Sequence, residues 1–370
     1  GSTLYDDITA MGTYAGCALK NTSLSETPLF GIEPLAAPAG VTENRCASLA
    51  SHGLISGDDI EAQSADAIQA LRGIGYYKEQ DWGIAFHEVL NLWRSLQPTY
   101  AGSYGRFAVW ENVCDVSFAA TDELGFPIPV PDATLASLFA TSSGIPPTSG
   151  INLIADRAVE GSILEVLATS PSTCKQDLDL DGALCFRYLS TGDEGLLGGA
   201  ITNQDRKNRR RVAEGTKEVR TTANLHGKPV IIAYGREDAL VFPNSQSRAY
   251  YGFNQVVEGG NSGLRIWEIT PAQHFDAFLS SLLLKPRTGE TLFVPLHFYL
   301  TEGLRMMLNH LMNGDPLPPS QVVRAEPRGL TPYTADDVDN RLPLPDLTPG
   351  TDSITFDSEN KVVFIPRDPL

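Results

Sequence analysis

The stretch "KPVIIAYGREDALVFP", residues 228–243, constrains the fold of this chain more than any other. Its run "PVIIAYG" is apolar and β-branched, with no polar alternation. That pattern belongs to a strand covered on both faces, as in a parallel sheet flanked by helices. Gly235 ends the run, and Asp238 follows three residues later. The carboxyl ends of strands in open α/β sheets are where sites assemble. A second strand, "GLRIWEIT" (263–270), leads into "EITPAQHFDAF", which places His274 just past its end. A carboxylate beside an imidazole fixes which ring nitrogen carries the proton and stabilises the imidazolium that forms when the other takes one.

Strand–acid followed by strand–histidine is the back half of the α/β-hydrolase triad, whose chain order is nucleophile, acid, histidine. Asp238 and His274 are therefore the candidate acid and base. Glu237 is expected to face away, and Asp276 is too near His274 in sequence to reach round its ring. His52, His87, His226, His297 and His310 occur in helix or loop contexts without a partner pattern. The nucleophile is harder to place. The elbow signature G-x-S-x-G, a strained strand-to-helix turn that exposes the serine oxygen, has no match in the chain. The nearest approach is "AGSYG" (101–105), which makes Ser103 the fallback candidate. It lacks the first glycine, and the preceding "SLQPTY" is not a buried strand. The serines of "PTSGI" (Ser149) and "LSTG" (Ser190) fit less well.

The rest of the chain changes texture twice. Residues 1–95 read as helical, with "DDIEAQSADAIQALRGIGY" (58–76) and "WGIAFHEVLNLWRSL" (82–96) carrying apolar residues at helical spacing. Residues 97–150 are rich in Gly, Pro, Ser and Thr and read as long loops, and 151–225 as short helices and loops. After 225 come the two strands and a helix, "LHFYLTEGLRMMLNHLMNG", ending at Gly314. A Pro- and Asp-rich tail from 331 closes with "KVVFIP", read as an edge strand. The expected division is 1–225, helical and loop-rich; 226–330, α/β; and 331–370, tail.

A formal net charge of −17 repels phosphates, which argues against nucleic acid or an anionic membrane as partner. No apolar run approaches the ~18 residues of a membrane span. The basic run "RKNRRR" (206–211) reads as a solvated helix face. Five cysteines without a CxxC pair fit no metal pattern, and no cofactor is expected. Cys174 and Cys185 are close enough to close a short loop, and one or two disulfides would suit a secreted or periplasmic protein. Buried thiols in the cytoplasm are the alternative. "DLDLDG" spaces Asp177, Asp179 and Asp181 like the start of a calcium loop, but Tyr188 stands where the bidentate glutamate belongs, so a turn is the plainer reading.

Taken together, "GKPVIIAYGREDALVFPNSQSRAYYGFN", "EITPAQHFDAF", "VPLHFYL" and "PLPPSQVVR" resemble the C-terminal half of the D-3-hydroxybutyrate oligomer hydrolases. "LYDDITAMGTYAGCAL", "RCASLASHGLISGDD", "GIPPTSGI" and "DLDGALCFRYLSTG" resemble the same family in the same order. The resemblance implies an α/β-hydrolase in which 1–225 is a large lid or cap insertion. It implies that Asp238 and His274 are the charge-relay acid and base, and that the nucleophilic serine and much of the sheet lie in an N-terminal half outside the chain. Gly1–Ser2 has the form of a tag-cleavage remnant, consistent with an upstream segment. The implied substrates are 3-hydroxybutyrate oligomers, and the implied partner is that N-terminal half as a second polypeptide, without which the chain is expected to be inactive. Each oligomer carries a free carboxylate, so Arg248, in the loop after Asp238, is the candidate substrate-binding cation. An esterase for another ester, aromatic or polyester-derived, and a non-catalytic cap or binding subunit are the competing readings.

Overall fold

The computed structural model describes residues 3–108, 110–134, 151–199, 201–280, 289–329, 334 and 341–367. The chain divides into two compact units. One comprises Ser2–Ile74 with Ile84–Arg220, and the other Gly75–Gly83 with Thr221–Leu370. Residues 75–83 therefore belong with the C-terminal unit, although the sequence reading placed them inside the helical region. The stretch "SSGIPPTSG" with Ser149, and residues 331–333, 335–340 and 368–370 of the tail, lie outside the described residues.

The C-terminal unit is built on a three-stranded parallel sheet of β7 (Val230–Gly235), β8 (Leu264–Thr270) and β9 (Gln321–Arg324), in that spatial order. A helix (Ser247–Glu258) connects β7 to β8, and a longer one (Leu296–Asn313) lies between β8 and β9. The strand period of two sorts the side chains onto opposite faces. Ile231, Ala233, Trp267, Ile269 and Val323 pack with Tyr299, Phe298 and Met306 of the long helix. Val230, Ile232, Leu264, Ile266 and Val322 pack with Tyr250 and Tyr251 on the other face, where the hairpin of β10 (Thr355–Asp357) and β11 (Val362–Phe364) adds Phe356 and Val363. Both faces are covered, so unbroken apolar runs are stable here. The final "KVVFIP" thus forms a strand, paired in its own hairpin. Gly303 lets the long helix approach Trp267, since a β-carbon there would stand 3.3 Å from the indole.

β7 departs from the expectation. It pairs only with β8 among the described residues, and Val230–Tyr234 are half-buried, whereas β8 is buried along nearly its whole length. The long helix also carries apolar residues on its outer side. Leu300, Leu304, Leu308 and Leu311 recur one turn apart, and Leu304 and Leu311 are 65% and 66% exposed.

The other unit is organised round α1 (Leu4–Ala18), whose cap Thr3 shares a reciprocal capping box with Asp6. Gly12 and Gly16 let neighbours close in, since β-carbons there would run into Gln97 and Leu178. Around it stand α2 (Val41–Ser51), α3 (Ile60–Gly73), α4 (Trp82–Val89), α5 (Leu92–Gly105), α6 (Leu180–Thr191) and α7 (Asn203–Glu218). The basic run 206–211 lies on α7, and its Arg211 pairs with Glu111 and stands over the Phe107 ring. The stretch 97–150, expected as long loops, contains more order than its composition suggests, and 151–225 holds the expected helices together with short strands. Residues 97–105 continue α5, and β1 (Val116–Thr121) pairs with β2 (Pro127–Ile128) and β3 (Asn152–Ala155) in a four-stranded antiparallel sheet completed by β4 (Ile163–Leu164), while β5 (Thr169–Ser170) and β6 (Lys175–Gln176) form a short antiparallel pair. Disulfides join Cys17 to Cys46 and Cys114 to Cys185, leaving Cys174 exposed and free. The short Cys174–Cys185 loop is not made. Cys114 takes Cys185 instead, from 71 residues away. No helix among the described residues is long and apolar enough to cross a membrane.

Candidate active site

Parallel pairing of β7 and β8 sets Gly235 beside Ile269, so the two strands end together. The chain after each strand therefore emerges at one edge of the sheet. His274 Nδ1 lies 2.7 Å from Asp238 Oδ2. The other oxygen, Asp238 Oδ1, accepts from the N–H groups of Leu240 (2.9 Å) and Val241 (2.8 Å), which fixes the carboxylate from behind. A carboxylate only accepts, so the proton on the short contact belongs to Nδ1, and Nε2 is left as the basic nitrogen. The Asp238 side chain is 5% exposed and the imidazole 33%, so the acid is dry while the base still reaches solvent. The Phe275 ring meets the imidazole edge to face at 4.3 Å and shields one side of it. Tyr234, at the end of β7, is held as a neutral phenol, because burial and the Asp238 charge push its pKa far above the ordinary value.

The neighbouring carboxylates have other tasks. Glu237 accepts from the Thr270 hydroxyl and the Ala272 N–H, both at 2.8 Å, and its own N–H donates to the Ala272 carbonyl at 3.0 Å. It grips the chain just before His274 rather than facing away. Asp276 accepts from the N–H groups of Leu296 (2.9 Å) and His297 (2.7 Å) and so caps the long helix from outside. Two side chains from the 75–83 segment complete the surroundings. Gln80 Nε2 donates to the Arg236 carbonyl (2.6 Å) and Trp82 Nε1 to that of Glu237 (2.7 Å). Neither was a candidate from sequence, since more than 150 residues separate donor and acceptor.

Other candidates are placed elsewhere. Arg248 gives Nε to Glu268 Oε2 (2.7 Å), Nη2 to Oε1 (2.5 Å) and Nη1 to Asn244 (2.9 Å). Glu268 is fully buried on β8 and also receives Arg236. The Arg248 guanidinium is thus held by Glu268 and Asn244, and it shares the buried carboxylate with Arg236. Ser103 lies in the last turn of α5 with its hydroxyl donating to the Thr99 carbonyl at 3.1 Å, so it is not on a strand–helix elbow. Ser190 donates to Asp6 from within α6. The calcium-like triplet is a set of turn contacts. Asp177 accepts from Ser170, Thr173 and the Leu180 N–H, Asp179 caps α6 through the Gly182 N–H, and Asp181 holds Ser172. Among the described residues no group of three or more His, Cys, Asp or Glu side chains could hold a metal ion.

These features meet a consistent set of relatives. The family model for 3HB-oligomer hydrolase matches residues 1–367. A protein of Azoarcus sp. (strain BH72), named D-(-)-3-hydroxybutyrate oligomer hydrolase, is 41% identical over 335 residues, covering 90% of this chain and 45% of its own length. Proteins of that name from Paracidovorax citrulli (strain AAC00-1) and Burkholderia vietnamiensis (strain G4 / LMG 22486) are each 38% identical, covering 97% and 96% of this chain and 49% and 47% of their own. No solved structure matches. The chain spans about half the length of these curated relatives. With a match running from residue 1 to residue 367 and across both compact units, the chain belongs to the 3HB-oligomer hydrolase family.

Proposed function

We propose that this chain supplies the acid and the base of a serine esterase that hydrolyses 3-hydroxybutyrate oligomers. The observation that carries the reading is the 2.7 Å contact between His274 and Asp238 at the paired ends of two parallel strands. The names of the relatives support the substrate class. In the proposed reaction a serine hydroxyl attacks the ester carbonyl and Nε2 of His274 takes its proton. The tetrahedral intermediate collapses as Nε2 returns that proton to the departing hydroxybutyrate oxygen. Water then repeats the sequence on the acyl-enzyme, restoring the serine and releasing the acid. Asp238 keeps Nδ1 protonated throughout.

The serine is assigned to a part of the enzyme outside these 370 residues. Three observations support this: Ser103 and Ser190 are tied down inside helices, the chain spans about half of its relatives, and β7 pairs on one edge only among the described residues. An apolar edge strand and an exposed leucine row are each surfaces that proteins ordinarily cover. The sheet is accordingly read as the C-terminal part of an α/β-hydrolase core continued beyond β7, with the helical unit as its cap insertion. Two disulfides favour an oxidising compartment, secreted or periplasmic. The test is labelling of the complete enzyme with a fluorophosphonate, followed by peptide mapping. A modified serine outside residues 1–370 is expected, and a label on Ser103 would refute the assignment. In the same enzyme His274→Ala should abolish turnover and Asp238→Asn reduce it by about 10⁴-fold.

A further inference from the structure

We infer that Glu237 is a positioning residue for His274, an inference that rests on the proposed role of His274 as base. His274 is borne on an irregular segment beyond β8, and its ring is one third exposed. One hydrogen bond donated to Asp238 orients a ring but does not set where its backbone runs. Glu237 does that. It makes three hydrogen bonds to residues 270–272, two through its carboxylate and one through its amide. Because Glu237 and Asp238 are adjacent in the chain, the group that holds the histidine's backbone and the group that holds its ring share one peptide plane. Displacement of either segment is resisted by the other.

The acid loop is itself anchored from a third direction. The carbonyls of Arg236 and Glu237 accept from Gln80 and Trp82. Trp82 in turn packs on Phe293 at 4.8 Å, and the Val294 N–H donates to the Pro271 carbonyl at 2.8 Å. The Ala325 N–H, just beyond β9, takes the Thr270 carbonyl at 2.8 Å. Segments 80–82, 236–238, 270–272 and 293–294 thus close a ring of contacts with Glu237 at its centre. A glutamate is suited to this place because its two oxygens accept from two donors at once. Glutamine of equal length keeps both contacts, accepting from the Ala272 N–H and donating to the Thr270 hydroxyl, whereas alanine keeps neither.

The experiment compares Glu237→Ala, Glu237→Gln and the milder Thr270→Val with the parent. The His274 Nδ1–H resonance is read by NMR on the ¹⁵N-histidine-labelled 370-residue chain, and kcat and KM on the complete enzyme with a hydroxybutyrate dimer. For Glu237→Ala we expect the Nδ1–H signal to be lost to solvent exchange and kcat to fall about 10- to 100-fold with KM little changed. Glu237→Gln should restore both, and Thr270→Val should fall between. The inference is overturned if Glu237→Ala keeps the parental signal and kcat, if Glu237→Gln is as impaired as alanine, or if Thr270→Val matches the parent while Glu237→Ala simply unfolds. Failure of the esterase reading would show separately, as turnover that survives His274→Ala, and the NMR comparison would still decide the role of Glu237.

Discussion

Replacing Gly235 with alanine should separate the catalytic geometry from the stability of the sheet that carries it. A β-carbon at 235 would stand 2.5 Å from the Ala272 carbonyl oxygen, 2.8 Å from its carbon and 3.1 Å from the Gln273 nitrogen. Ordinary contact begins near 3.4 Å, so the 272–273 backbone must retreat by about 0.9 Å. Gly235 is not among the residues of positive φ, so the backbone itself accepts a side chain and the effect is one of contact alone. Overpacking of this kind costs about 1–3 kcal/mol. The functional cost is larger. Ala272 lies two residues before His274, and if the shift reaches the ring, a 2.7 Å hydrogen bond becomes a separation of about 3.6 Å, no longer a bond. Misplacement on the scale of 1 Å costs on the order of 100-fold in rate. We therefore expect Gly235→Ala to unfold at a temperature lower by several degrees in calorimetry, to lose the low-field Nδ1–H signal, and to lose about 100-fold in dimer hydrolysis by the complete enzyme. An alanine variant with unchanged melting and unchanged turnover would refute the claim that this glycine exists to let the histidine segment approach.

Two predictions concern the helical unit. Its disulfides close loops of 29 and 71 residues, for which chain entropy gives about 3.6 and 4.4 kcal/mol of stabilisation. Reduction should lower the melting temperature clearly, whereas Cys174→Ser should leave it unchanged, and the native protein should titrate one thiol with Ellman's reagent. Asp179 has its pKa raised to about 7, first by burial and then by the nearby Glu165 charge. The folded state thus keeps a proton that the unfolded chain releases near its ordinary 3.8, so stability is lost as pH rises from about 4 to 7. Asp179→Asn preserves the cap to Gly182 and removes that ionisation, so it should raise the melting temperature at pH 8 and change little at pH 4. A gain that is equal at both pH values would exclude the linkage.

Residue type and order in the sequence were enough to read two strands, the acid beyond one and the histidine beyond the other, because parallel strands joined by a helix bring their carboxyl ends to one edge. They also carry no match to the elbow signature, a local pattern of glycines and serine that is read directly in sequence. Local pattern says nothing of partners brought together only by folding. That Arg248 pairs with Glu268, twenty residues away on a buried strand, is invisible in sequence. The glycine- and proline-rich stretch reads as loop, yet β1 pairs with β2 across a short turn and with β3 further along the chain. Cys185 bypasses the near Cys174 for Cys114, since pairing follows distance in space rather than in sequence. In sequence Glu237 is expected to face away, because one position along a turn changes the direction of a side chain while leaving no mark in composition. Sequence by itself thus determined which groups stand at the strand ends and the family they belong to. Only the tertiary structure decided which neighbouring charges are paired, which hold the backbone, and which edge of the sheet is unpaired among the described residues, because each of those depends on contacts between segments apart in the chain.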